Sequence, residues 1–211
     1  MLIKKLISRG DGRMKERGGC NNSEIEIIVK DKDGKIIEKR REKAHSILFG
    51  FAWWFGSILM AGGGTVKDVN TGQNVNNIQT NWQLTKVEAP SNDDSYGIWV
   101  GSGSTPNSLD TYTLASKIQN GTGSGRLVYG STSCDILDSS NFPTMRYKIS
   151  RSFTNNSGGD ITVREIGLVM QHSPDGSSIN ARMMICRDVL SSPVTVPNGG
   201  ILYVNYYIRF N

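Results

Sequence analysis

Ile201-Leu202-Tyr203-Val204-Asn205-Tyr206-Tyr207-Ile208-Arg209-Phe210, at the end of the chain, decides the fold class. Leu202, Val204, Tyr206 and Ile208 fall on one side of an extended backbone, and Tyr203, Asn205, Tyr207 and Arg209 fall on the other, a period of two that marks a strand with one buried face. The segment Met145 to Phe153 repeats the pattern: Met145, Tyr147, Ile149, Arg151 and Phe153 alternate with Arg146, Lys148, Ser150 and Ser152. Between and before these lie further β-branched and aromatic segments, Tyr96 to Val100, Arg126 to Ser133, Ile161 to Met170, Ala181 to Leu190 and Val194 to Val196. Clusters of Asn, Asp, Gly, Ser and Pro punctuate them, as at 155–160 and 197–200. Short strands at regular spacing with turn residues between them predict a mainly β chain, an antiparallel β-sandwich of jelly-roll-like kind.

Upstream the composition changes. Glu24 to Lys30 reads as a strand, Asp33-Gly34 as a tight turn and Lys35 to Lys39 as the returning strand, a β-hairpin that needs other elements to be stable. Ile47 to Ala61 is apolar and free of charge, which predicts one apolar helix; it is too short and too rich in central Trp to be read as a membrane span. The expected organisation is a basic flexible arm over 1–23, a docking module of hairpin plus apolar helix over 24–64, and a β-sandwich over 65–211. In a regular helix Phe51, Trp54, Phe55 and Ile58 share a face while Phe49 and Trp53 lie four apart on another, so these six are the candidate assembly interface.

The 211 residues include 24 Gly, 20% charged and 37% hydrophobic residues, which excludes disordered, collagen-like and disulfide mini-protein classes. The 24 Lys and Arg outnumber the 19 Asp and Glu, and the excess is local: residues 1–45 hold 13 of the first and 8 of the second, leaving 11 of each in the remainder. Lys4, Lys5, Arg9, Arg13, Lys15 and Arg17, with Lys39-Arg40-Arg41, form a basic arm that invites a weak nucleic-acid contact. Interleaved acids such as Glu24, Glu26, Glu38 and Glu42 favour a solvated or intersubunit face instead. The N-terminus lacks a signal-peptide apolar core, so synthesis in the cytoplasm is expected.

Motifs for chemistry are weak. Cys20, Cys134 and Cys186 form neither a disulfide framework nor a zinc pattern, and His45 and His172 are isolated. Asp31-Lys32-Asp33-Gly34 starts like a calcium loop but has Lys35 and Ile36 where a ligand and Gly are needed. Gly101-Ser102-Gly103-Ser104 and 121–125 could offer backbone N–H groups to an anion, but lack the Lys-Ser or Lys-Thr of a phosphate loop. A non-enzymatic protein without metal or cofactor is expected. Tyr96, Trp99 and Tyr112 are the aromatic residues placed to stack on a ligand at the surface.

Several phrases, in order, resemble a family of tailed-bacteriophage virion proteins. They are Gly97 to Thr105, Gly121 to Gly130, Arg151 to Leu168 and Cys186 to Gly200, and Ala44 to Phe51 followed by Val66 to Gly72 looks like the N-terminal part of such proteins. The resemblance implies a β-sandwich structural component of a virion, a homo-oligomer on capsid, collar or tail that meets copies of itself and other virion proteins. The alternative is a receptor- or glycan-binding module on the particle.

Overall fold

The structure is a computed structural model that describes residues 23–44, 64–78, 85–108, 110–138, 146–172 and 181–209. The apolar helix expected over 47–61 and the basic arm up to residue 22 lie outside the described residues. Among those residues the chain is all strand, turn and loop, without a helix. The strands are β1 (Glu24–Lys30), β2 (Ile36–Lys43), β3 (Gly64–Lys67), β4 (Asn74–Ile78), β5 (Thr85–Lys86), β6 (Gly97–Gly101), β7 (Val128–Tyr129), β8 (Ser133–Asp138), β9 (Arg146–Thr154), β10 (Ile161–His172), β11 (Ala181–Val196) and β12 (Ile201–Arg209).

Two antiparallel sheets make a sandwich-like body. The larger runs β2-β1-β12-β9-β7, with β8 also on β9; the smaller runs β11-β10-β5, with β6 also on β10; β3 and β4 form a separate pair. The period of two in β12 is realised: Leu202, Val204 and Tyr206 are fully buried, and Leu202 faces Val29 of β1 and Phe153 of β9 across the ladder. These side chains join Ile98, Ile166, Leu168, Met183 and Val196 of the smaller sheet in one buried cluster. Each buried aliphatic side chain of this kind stabilises the fold by roughly 1.5–3 kcal/mol.

β1 pairs with β2 on one side and with β12 on the other, so it is an inner strand of the larger sheet. Ile25, Ile27 and Val29 belong to the same buried cluster as the strands after residue 65. The boundary drawn between residues 64 and 65 therefore separates strands that share one core. Asp31 Oδ1 accepts from the N–H groups of Asp33 and Lys35, and Gly34 takes φ +80°, which closes the β1–β2 turn.

The two segments expected over 181–190 and 194–196 are one strand. Val163 faces Val194 while Glu165 faces Val189, so Ser191-Ser192-Pro193 bulges out of the ladder, where proline removes no ladder hydrogen bond. The bulge reaches β2: Arg40 donates to Ser192 Oγ at 2.6 Å and to the Ser192 carbonyl, and Ser191 N–H donates to Glu42 at 2.9 Å. At the neighbouring turns, the Asn155 amide donates to the Gly159 and Val196 carbonyls at 2.8 Å each, tying turn 155–160 to the end of β11.

Candidate functional site

The residues read from the sequence fall into three groups. Phe49, Phe51, Trp53, Trp54, Phe55 and Ile58 lie outside the described residues, as do Lys4, Lys5, Arg9, Arg13, Lys15 and Arg17. Lys39, Arg40 and Arg41 lie on β2, and each has an acidic partner. Arg41 sits 3.1 Å from Glu26 and 3.8 Å from Glu24; Lys39 is 3.7 Å from Glu26; Arg40 is 2.8 Å from Glu38 and 2.9 Å from Glu42. Burial raises the Glu26 carboxyl, but donors from Asn205, Arg41 and Tyr207 outweigh it and hold the group below its usual range. The basic run is thus largely neutralised by its own strand pair.

Two of the three proposed stacking residues are corrected by the structure. Tyr96 is 4% exposed, just before β6, and Trp99 is 1% exposed within it, where every residue is buried against β10. A strand covered on both faces does not alternate, and next to a Gly-rich loop it reads as surface. The Tyr96 hydroxyl donates to the Glu88 carbonyl, and Lys117 Nζ lies 3.8 Å from the Trp99 ring centroid. Tyr112 is half-buried, with Lys67 Nζ 4.9 Å from its ring centroid.

The Gly-rich loop after β6 does cradle an anion, and the anion is the protein's own. Glu165 on β10 accepts from the N–H groups of Gly103 (3.0 Å), Ser116 (2.8 Å) and Ala115 (3.0 Å). It also receives the Arg187 guanidinium at 2.7 Å from both Nε and Nη2. Arg187 in turn donates to Asn107 Oδ1 at 2.6 Å and the Thr105 carbonyl at 2.8 Å, and Asn107 returns a hydrogen bond to the Arg187 carbonyl. A Cβ at Gly101 or Gly103 would come within 2.6 or 2.5 Å of Glu165 Oε1, so glycine is what lets this backbone approach. Sequence reading passed over Glu165, yet a signal existed: it continues the buried phase of Ile161 and Val163.

Arg151, in phase with Ile149 and Phe153, acts similarly without a direct carboxylate partner among the described residues. It donates to the carbonyls of Gly130 (2.8 Å), Tyr96 (2.9 Å), Ile98 (3.1 Å), Pro90 (3.4 Å) and Asp93. Burial, only partly offset by nearby Tyr and Asp groups, lowers its pKa to about 10. Asp68 closes the turn 68–72: it accepts from Asn70 and Thr71 N–H and from the Thr71 hydroxyl, and its other oxygen takes Arg182 N–H at 2.9 Å. Burial raises this carboxyl, and those donors outweigh it to leave it lowered.

These locked loops meet at a surface cleft of about 450 Å³. Turn 68–72 contributes Val69 and Asn70, the 94–95 turn contributes Asp94 and Ser95, and the 113–119 loop contributes Thr113, Lys117 and Gln119, with Trp99 and Arg182 completing the lining. Asp94 accepts from Asn120 N–H at 2.8 Å and from Lys117, which fixes two of the loops to each other. Burial lowers the Lys117 ammonium, with Asp94 opposing. Among the described residues no group of three or more His, Cys, Asp or Glu is gathered for a metal, and no helix is long and apolar enough to cross a membrane. Comparison with known proteins finds no match to this chain among family models, curated proteins or solved structures.

Proposed function

We propose that the chain is a structural component of a tailed-bacteriophage virion, made in the host cytoplasm and assembled as a homo-oligomer on the capsid, collar or tail. In this reading a jelly-roll-like sandwich builds the surface, and the apolar segment 47–61 docks onto neighbouring copies or other virion proteins. The observation that supports it most is where the resembling phrases fall. Gly97 to Thr105, Arg151 to Leu168 and Cys186 to Gly200 carry Gly103, Arg151, Asn155, Glu165 and Arg187, the residues that lock the loops onto the sheets. The phrases that carry the resemblance thus include residues that specify an architecture as well as loop residues.

The β2 edge is a poor place for copies to meet. A two-fold that extended the sheet across β2 would keep each face on its own side, so exposed Lys39, Arg41 and Lys43 would oppose their equivalents, while the Glu24 and Glu26 that offset them stand one strand back on β1. Docking through 47–61 avoids that repulsion and leaves the nucleic-acid contact, if made, to Lys4 through Arg17. The test is electron microscopy of particles labelled against this chain, with light scattering of the purified full chain. Discrete labelled positions and a closed oligomer are expected; unlabelled particles together with a monomer at micromolar concentration would contradict the reading. The alternative, a receptor- or glycan-binding module, no longer has Tyr96 or Trp99 as exposed platforms and is favoured only by the loop-end cleft.

A further inference from the structure

We propose that the loop-end cleft binds a saccharide, with acidic sugars held more tightly than neutral ones. This deepens the glycan-binding alternative at a different set of atoms and does not depend on the virion reading. The cleft volume of about 450 Å³ lies within the range of roughly 300–1,000 Å³ typical of small-molecule sites. Its lining is the first argument. Asn70, Ser95, Thr113 and Gln119 present amide and hydroxyl groups from three different loops, and none of these side chains makes a hydrogen bond with a described residue. Groups that both donate and accept match sugar hydroxyls, which do the same.

The second argument is an unsatisfied donor. Arg182 Nε is a buried N–H group without an acceptor among the described residues, a state that costs free energy unless water or a ligand supplies one. Lys117 already serves Asp94, whereas Arg182 makes no ion pair among the described residues, so Arg182 is the cation left for a ligand carboxylate. The third argument is rigidity: Asp68, Asp94 and Glu165 each hold one of the contributing loops by its backbone N–H groups, which lowers the entropy cost of binding.

The experiment is saturation-transfer NMR on the full chain with glucuronic acid, N-acetylneuraminic acid, galactose and N-acetylglucosamine, each at about 10 mM to detect millimolar binding. Transfer to at least one acidic sugar is expected. The double variant Asn70→Ala with Gln119→Ala should weaken binding about tenfold with an unchanged melting temperature, since two hydrogen bonds are lost. Arg182→Gln should remove the preference for acidic over neutral sugars. No transfer from any of the four, retention of affinity within about twofold in the double variant, or full displacement by equimolar acetate, which would mark a simple anion site, would each overturn the proposal.

Discussion

At the loop end, Glu165 and Arg187 are 0% and 2% exposed and meet at 2.7 Å; on the hairpin, Arg41 is 54% exposed and lies 3.1 Å from Glu26. The residue types are the same, but the surroundings reverse their meaning. Glu165 and Arg187 spend their remaining hydrogen-bonding capacity on backbone groups of the 103–116 loop, so their burial dictates where that loop lies. Lys39 and Arg41, more than half exposed, meet Glu26 of β1 from the solvent side and dictate little beyond the protection of an open edge, while Arg40 and Glu42 reach β11 at the 191–192 bulge.

The hardest way to break this contrast is to remove one partner of the buried pair. Glu165→Leu leaves the Arg187 cation and three N–H groups unmatched and should cost about 3–5 kcal/mol in urea unfolding. Arg187→Met should cost less, because the Glu165 carboxylate keeps its three backbone donors. A Glu165→Leu loss no larger than that of Arg187→Met would mean the backbone contacts are unimportant. Gly103→Ala tests the approach distance alone; with Glu165 Oε1 at 2.5 Å and the Ala115 methyl at 2.6 Å from a new Cβ, about 1–3 kcal/mol of destabilisation is expected in the same assay.

Acid should reveal the lowered carboxyls. Asp68 and Glu26 titrate lower in the fold than in the unfolded chain, so their contribution is present above the ordinary carboxyl range and is lost as pH falls below about 4. Asp68→Asn should flatten the acid limb of a stability-against-pH curve and lower the plateau near neutrality. At the high-pH end, burial raises the hydroxyls of Tyr129 and Tyr206, so stability conferred by their neutral forms is lost once unfolded tyrosine ionises, above about 10. The smallest effect belongs to the hairpin: Arg41→Ala should cost less than about 1 kcal/mol, and the difference should fade in 1 M salt.

Much of the architecture is legible in the chain. Alternation in Ile201 to Phe210 and Met145 to Phe153 announces strands with one buried face, and Asn-Gly-rich clusters announce their turns. The merged strand over 181–196 is hidden because Ser191-Ser192-Pro193 looks like a stop and only pairing with β10 reveals a bulge. The burial of Tyr96 and Trp99 is hidden because a strand buried on both faces has no polar phase to contrast with an apolar one. The buried polar residues are the least legible: Glu165 and Arg151 stand in apolar phase, but their backbone partners lie 21 to 62 residues away in the sequence, which no local pattern can indicate.

Native-state hydrogen exchange at the amides of Gly103, Ala115 and Ser116 tests the central claim, that buried carboxylates fold these loops onto the body. Ala115 and Ser116 are exposed residues in irregular backbone, so exposure alone would make them exchange as fast as the turn amides at 122–124. The Glu165 clamp predicts protection within about tenfold of core amides such as Leu168 and Val204, lost together in Glu165→Leu. Exchange of all three at the rate of the 122–124 turn would contradict it.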